Sequence, residues 1–244
     1  MNVGSIPAGY VRVAAGRRVA VVHAAHVDDA SAMLSEDTLH QVAARSLSAR
    51  PLQGRGIAYA IALPMSKERV VVRHNQHGGL LAGLTRDLFL PPSRAPYELS
   101  VSLRLADAGV RTPDVLMYGV EPVAGMFCRS DVVTREVLSS RDLSSYMHRD
   151  EPVTSRADAW TAARTLVDDL TAAGARHRDL NVKNVLLAPA GSGMVAYVLD
   201  VDRVTFGAHD SAEVRTGNVE RLLRSARKWR HERGAVLDEK ELLP

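Results

Sequence analysis

The polar segment 177–184 constrains the fold of this chain more than any other stretch of its sequence. A three-residue apolar run follows it directly, and a second apolar run, Met194–Leu199, ends in Asp200. Short apolar runs bounded by turn residues are typical of buried strands. The pattern therefore predicts a loop that carries Asp179 and Asn184, then two short strands, the second of which ends at Asp200.

These three polar residues have the spacing of a phosphoryl-transfer site of the protein-kinase type, in which an H-R-D-x-x-x-x-N loop precedes a metal-binding aspartate. Asp179 can accept the proton of an attacking hydroxyl, so we interpret it as the general base. The oxygens of Asn184 and Asp200 suit the Mg²⁺ that accompanies ATP. The alternative is a solvated loop in which Asp179 caps a turn and Asn184 bonds the backbone, because both residue types are common in turns.

Length and composition limit the classes of function. The 244 residues can bury a sizeable core, and 46% hydrophobic with 24% charged residues is ordinary for a globular protein. A net charge of +3 is too small to indicate a nucleic-acid partner. The single cysteine excludes an intramolecular disulfide, the N-terminus lacks a signal-peptide pattern, and no apolar run reaches the roughly 18 residues of a membrane span. We therefore expect a soluble, cytoplasmic protein.

The first part of the chain mixes strand and helix patterns, as in an α+β protein. Residues 11–23 predict a β-hairpin, and residues 31–50 predict one helix. A strand, a turn and a strand over residues 57–73 follow the glycine pair Gly54 and Gly56, as expected of a loop that folds over phosphates. The pair alone is a weak signal, because two glycines can simply terminate a strand.

The rest of the chain is richer in helical patterns. The predicted elements are a helix over 94–108, strands over 115–120 and 126–133, and helices over 141–148, 155–173 and 212–231. Residues 134–136 form the one credible boundary between two lobes. The last helix carries a basic run over 221–233 that includes Trp229. This run is either a solvated helix face or a surface that attracts an anionic membrane, where an indole ring is also favourable.

Together these motifs resemble the lipopolysaccharide kinase family, and within it most closely the 3-deoxy-D-manno-octulosonic acid (Kdo) kinases. The similar segments are Gly54–Gly56, Val72–His74, Gly78–Leu80, Tyr97–Glu98, Leu105–Val110 with Pro113, Arg129–Arg135, His177–Asn184, Asp200–Arg203 and Asn218–Ser225. The similarity runs from about residue 50 to about residue 230. The chain departs from the pattern at Arg73, which stands where protein kinases have a lysine, and at Val201, where the family more often has an aromatic residue.

The resemblance implies a minimal bilobal protein-kinase-like α+β fold that occupies residues 1–244 as one domain. A β-rich N-lobe would span about 1–133, a hinge about 134–137 and a helical C-lobe about 138–244.

Roles for individual residues also follow from the resemblance. It implies that Gly54 and Gly56 lie above the nucleotide phosphates, and that Arg73 and its helix partner Glu98 bind nucleotide. A guanidinium can bond phosphate through two donors and keeps its charge, so arginine can take the role of the lysine. By the same resemblance Asp179 is the catalytic base, and Asn184 and Asp200 hold Mg²⁺.

The implied reaction is transfer of the γ-phosphate of ATP to a hydroxyl of Kdo on a lipid A precursor. Its partners would be ATP, a lipid-linked sugar acceptor and the anionic cytoplasmic face of the inner membrane. Asn181, where protein kinases commonly have lysine, favours a sugar hydroxyl over a protein substrate. The alternatives are a kinase of another acceptor, such as a heptose, another small molecule or a protein Ser/Thr side chain, and a nucleotide-binding pseudokinase module, which the Arg73 substitution supports.

Overall fold

The computed structural model describes residues 3–53, 56–76, 87–123, 126–191, 193–237 and 239. The chain divides into two compact units. The first unit comprises Met1–Ser100 and Asp114–Glu136, and the second comprises Val101–Pro113 and Val137–Pro244. The first unit is built mainly on a sheet and the second mainly on helices, as an α+β fold requires. Along the chain, the third and last change of unit falls between Glu136 and Val137.

A seven-stranded antiparallel sheet forms the first unit. Its strands in chain order are β1 (Tyr10–Ala15), β2 (Arg18–His23), β3 (Arg50–Gln53), β4 (Ile57–Ala62), β5 (Arg69–His74), β6 (Val115–Pro122) and β7 (Cys128–Arg135). They lie in the order β1-β2-β6-β7-β5-β4-β3. The predicted hairpin over 11–23 is confirmed, and Gly16 takes the positive φ of 61° that its tight turn requires. The predicted strands on both sides of the Pro64 turn are β4 and β5.

The helix predicted over 31–50 is wrong in its extent, because the structure has two helices and a strand there. α1 (Val27–Glu36) ends where Asp37 is extended, and α2 (Leu39–Arg45) begins after Thr38. The Thr38 side chain accepts a hydrogen bond from the Gln41 amide, which caps the new helix. The apolar residues keep their helical spacing across Asp37 and Thr38, so the sequence pattern predicted a single helix.

Alternation along β5 decides what each face of the sheet carries. Val70 and Val72 are wholly buried in a core with Met33, Leu34 and Leu39 of α1 and α2. Arg73 follows Val72, so its side chain leaves the opposite face of the sheet. It meets Glu98 of α3 (Ala95–Asp107), the helix predicted over 94–108.

The second unit carries the remaining helices and three short strand pairings. Its elements are β8 (Arg141–Asp142), α4 (Leu143–Tyr146), α5 (Val153–Ala172), β9 (Ala175–His177), β10 (Val185–Ala190), β11 (Gly193–Val198), a 3-10 turn (Val201–Arg203), β12 (Val204–Phe206) and α6 (Ala212–Arg233). β10 pairs with β11 and β8, and β12 pairs with β9. The two strands predicted on either side of residues 188–193 are therefore β10 and β11.

A single apolar cluster anchors these elements. Trp160 and Leu166 of α5 pack in it with Leu222 of α6, and all three are buried. Gly174 joins α5 to β9 at a φ of 64°, and a Cβ there would lie 2.6 Å from the Gly207 carbonyl oxygen. Only glycine fits that turn without displacing backbone. None of the described helices is both long enough and apolar enough to cross a membrane.

Candidate active site

Two buried aliphatic side chains hold the polar loop between β9 and β10. Leu180 and Val182 are wholly buried, whereas Asp179 is partly exposed and Lys183 is exposed. Because the apolar side chains fix the loop to the core, the polar side chains between them are held in place at the surface. The Val182 carbonyl also accepts the Ser144 amide, which joins the loop to α4.

His177 at the end of β9 organises the start of the loop. Its Nδ1 accepts the amide of Asp179 at 3.1 Å, so its proton lies on Nε2, which donates to the Leu199 carbonyl oxygen at 2.9 Å. Burial lowers the pKa of His177 more than the Leu199 carbonyl and the neighbouring carboxylates raise it. His177 is therefore a neutral, buried ring that bonds backbone on both sides, as a structural histidine would.

Asn184 is tied back to the loop and forward to the next strand. Its Nδ2 donates to the Asp179 carbonyl oxygen at 2.9 Å, and its own carbonyl accepts the Leu199 amide at 2.9 Å. Leu199 therefore bonds Asn184 through its amide and His177 through its carbonyl. One hydrogen-bond network thus brings Asp179, Asn184 and the residue before Asp200 together.

Asp200 occupies a backbone conformation that few residues adopt. Its φ and ψ are 53° and 46°, in the left-handed region, and its carbonyl accepts the Arg203 amide at 3.1 Å in the 3-10 turn. This conformation costs an ordinary L-residue about 1–2 kcal/mol, although aspartate tolerates it better than most. Such conformations persist where the surroundings impose them, and they concentrate at functional sites.

The donor set of this network fits Mg²⁺. The Nδ2 of the buried Asn184 is fixed by the backbone, so its Oδ1 is the atom that can face a cation. In the part of the chain that the structure describes, no group of three or more His, Cys, Asp or Glu side chains is placed to hold a metal ion. Nucleotide-linked Mg²⁺ does not need one, because it takes one or two protein ligands and completes its shell with phosphates and water.

The candidate nucleotide residues lie in the first unit. Arg73 Nη2 and Glu98 Oε1 form an ion pair, in which the Glu98 side chain is only 6% exposed. The resemblance implied that Glu98 is the partner of Arg73, and the structure forms this pair. Gly56 is exposed just before β4, and Gly54 lies outside the described residues.

The sequence interpretation missed three polar residues of α6 that contact the loop. Asn218 accepts the His177 amide and donates to the Ala175 carbonyl, both at 2.9 Å. Arg221 Nη2 lies 2.9 Å from Asp179 Oδ1, and the Ser225 hydroxyl accepts the Val182 amide at 3.2 Å. Their spacing of three and four residues places them on one helix face, a signal that the sequence contained.

A pocket of about 140 Å³ lies in the first unit, apart from the residues described above. His74, which lines it, follows Arg73 and so leaves the other face of the sheet. Burial alone would lower the pKa of His74, but hydrogen bonds and charges from Asp131 and Asp87 outweigh it and raise the pKa. The pocket's Arg129 also pairs with Asp87 at 2.7 Å. Because these charges are paired with one another, the pocket lining indicates no particular ligand.

Comparison with known proteins shows to which class of enzyme the chain belongs. The model of the family described as "Lipopolysaccharide kinase (Kdo/WaaP) family" matches residues 39–238. A protein of Pasteurella multocida named 3-deoxy-D-manno-octulosonic acid kinase is 29% identical over 182 residues, which are 72% of this chain and 73% of that protein. A protein of the same name from Stenotrophomonas maltophilia is 31% identical over 193 residues, 76% of this chain and 72% of its own length. A solved structure titled "WaaP in complex with acyl carrier protein" is 18% identical with a TM-score of 0.49, and covers 78% of this chain and 76% of that one.

The protein is a kinase, a phosphotransferase that uses ATP and has an alcohol group as acceptor. More specifically, the chain belongs to the lipopolysaccharide kinase (Kdo/WaaP) family, and it has the α+β fold that the sequence predicted.

Proposed function

We propose that this kinase transfers the γ-phosphate of ATP to a hydroxyl of Kdo on a lipid A precursor, in lipopolysaccharide core biosynthesis. The observation that carries the proposal is the network around Leu199, which links Asp179 and Asn184 to the residue before Asp200. The acceptor is taken from the names of the relatives, which are Kdo kinases in several bacteria.

In this proposal Asp179 orients the acceptor hydroxyl and takes its proton as the oxygen attacks the γ-phosphorus. The backbone of Asp179 is held on both sides, because its amide donates to His177 and its carbonyl accepts the Asn184 and Asn181 side chains. A base fixed in this way loses little freedom when the acceptor binds, which lowers the entropic part of the barrier.

Asn184 and Asp200 would hold the Mg²⁺, which neutralises charge on the nucleotide phosphates when bound. Arg73 would bind phosphate, with Glu98 fixing its guanidinium, and Gly54 and Gly56 would approach the phosphates through their backbone amides. The ordered pair of Arg73 and Glu98 supports this assignment, because a guanidinium already held by a buried carboxylate needs no reorganisation.

The acceptor is tested by transfer of label from [γ-³²P]ATP. The panel contains a Kdo-bearing lipid A precursor, the same precursor without Kdo, a heptose-bearing core and a generic protein substrate. We expect label in the Kdo-bearing lipid and none in the precursor that lacks Kdo. Label confined to the heptose-bearing core or to protein would contradict the proposed acceptor, and nucleotide binding without transfer to any acceptor would favour a pseudokinase module.

A peripheral contact with an anionic membrane belongs to the same proposal, since the acceptor is lipid-linked. The positive charge of α6 supports this contact. Trp229 does not add to the support, because its ring is partly buried against the core and Arg233 lies above it at 4.3 Å. Glu239 pairs with Arg227 and Arg230, which reduces the free charge. Co-sedimentation with anionic and neutral vesicles at low salt should show binding to the anionic ones only. Equal recovery with both would remove the membrane contact.

A further inference from the structure

One face of α6 contacts the loop at three successive points. Asn218 bonds the backbone at His177, Arg221 reaches the Asp179 side chain, and Ser225 bonds the amide of Val182. Two of these contacts go to backbone and shape the loop. The third goes to the carboxylate proposed as the base, so it acts on a reacting group.

Two polar side chains that follow Asp179 in the loop, those of Asn181 and Lys183, are bonded to other partners. Asn181 donates to the Asp179 carbonyl at 3.0 Å and accepts the Lys183 amide at 2.9 Å, which closes a local turn. Lys183 Nζ pairs with Asp142 at 3.0 Å and lies 5.1 Å from the centre of the Trp229 ring. Among the contacts of the described residues, α6 brings one cation, Arg221, against the Asp179 carboxylate.

The helix is anchored on both sides of Arg221, whose own side chain is 37% exposed. Leu222 beside it is wholly buried, and Asn218 one turn earlier is also wholly buried. Within the described residues, the Arg221 Nε is buried without a hydrogen-bond partner. A buried donor left unpaired in this way is an arrangement that needs a reason, and the contact of Nη2 with Asp179 Oδ1 at 2.9 Å provides one.

We propose that Arg221 is a positioning residue for phosphoryl transfer, which holds the Asp179 carboxylate in its working orientation from outside the loop. It supplies the cation that Asn181, standing at the position of the common protein-kinase lysine, does not. The inference rests on the proposed role of Asp179 as the base.

The test compares Arg221→Gln, Arg221→Lys and the control Arg224→Gln, an exposed arginine of the same helix. We expect Arg221→Gln to lower kcat by about 10- to 100-fold with the KM for ATP within about twofold, because only the orientation of the base changes. Arg221→Lys should recover part of kcat, and millimolar guanidinium should raise the kcat of Arg221→Gln. Arg224→Gln should behave as wild type.

A double-mutant cycle separates this inference from the proposed function. With Asp179→Asn already present, adding Arg221→Gln should lower kcat no further, because Arg221 acts through the carboxylate. Additive losses, or a wild-type kcat in Arg221→Gln, would overturn the inference while the role of Asp179 stands. Wild-type transfer by Asp179→Asn alone would instead overturn the proposed function. If Arg221→Gln does not fold, Arg221→Lys decides: a kcat below that of the wild type with an unchanged KM for ATP supports the inference, and a wild-type kcat overturns it.

Discussion

Replacing Asn218 by alanine is expected to destabilise the second unit. Asn218 is wholly buried, and its two hydrogen bonds, both 2.9 Å, satisfy the His177 amide and the Ala175 carbonyl in a site without solvent. Leaving each of these buried groups unpaired costs about 1–3 kcal/mol, so the free energy of unfolding should fall by about 2–6 kcal/mol. With a urea m-value of about 2 kcal/mol/M, the unfolding midpoint should fall by about 1–3 M.

Tryptophan fluorescence measures this unit selectively. The chain has two tryptophans, and both Trp160 and Trp229 belong to the second unit. Asn75→Ala is the matched control, because Asn75 lies in the first unit and loses one partly buried bond, to Ser130 at 3.1 Å, worth about 0.5–1.5 kcal/mol. If Asn218→Ala shifts the midpoint no further than Asn75→Ala does, then the Asn218 hydrogen bonds of α6 do not support the loop.

Four further outcomes follow from single residues. Asp200→Gly should be about 1 kcal/mol more stable to urea than Asp200→Ala, because the φ of 53° strains a Cβ, and both should lose Mg²⁺-dependent transfer. Glu98→Gln should raise the KM for ATP about tenfold in steady-state assays, since Arg73 loses its charged partner. The pKa of His177 is lowered by burial, so the unfolded chain binds its proton more readily. The free energy of unfolding should therefore be fully present above about pH 6.5 and should fall as the pH drops toward the pKa of His177 in the folded state. Urea unfolding midpoints at a series of pH values measure this fall. Burial raises the pKa of Cys128, so it should react with thiol reagents in urea and hardly at all in the native state.

Local patterns predicted most of the elements because each carries its own signal. The hairpin at Gly16, the helix that ends before Gly109 and the helix that ends before Gly174 all have a glycine at positive φ where the pattern stops. The break at Asp37 and Thr38 was missed because one extended residue leaves the apolar period on either side unchanged. The short strand β8 was also missed, since a two-residue pairing with β10 has no sequence period of its own.

The loop residues could be predicted because a catalytic base and its metal ligands are constrained in spacing along one short segment. The partner of Asp179 could not be predicted in the same way. Arg221 follows Asp179 by 42 positions, and their contact depends on how α6 packs against the loop. The sequence predicted a basic helix, which could face either solvent or a membrane. The contact of its Arg221 with the Asp179 carboxylate is visible only in the structure.

The most direct measurement uses a bacterial host that lacks its own Kdo kinase. The wild-type chain, Asp179→Asn and the exposed control Asp158→Asn would each be expressed there, and the extracted lipid A-core species analysed by mass spectrometry. We expect one added phosphate on Kdo with the wild type and with Asp158→Asn, and a loss of about 10²- to 10⁴-fold with Asp179→Asn. Phosphorylated Kdo at wild-type level from Asp179→Asn would contradict the role of Asp179 as the base, and a wild-type chain that leaves Kdo unmodified would contradict the proposed acceptor.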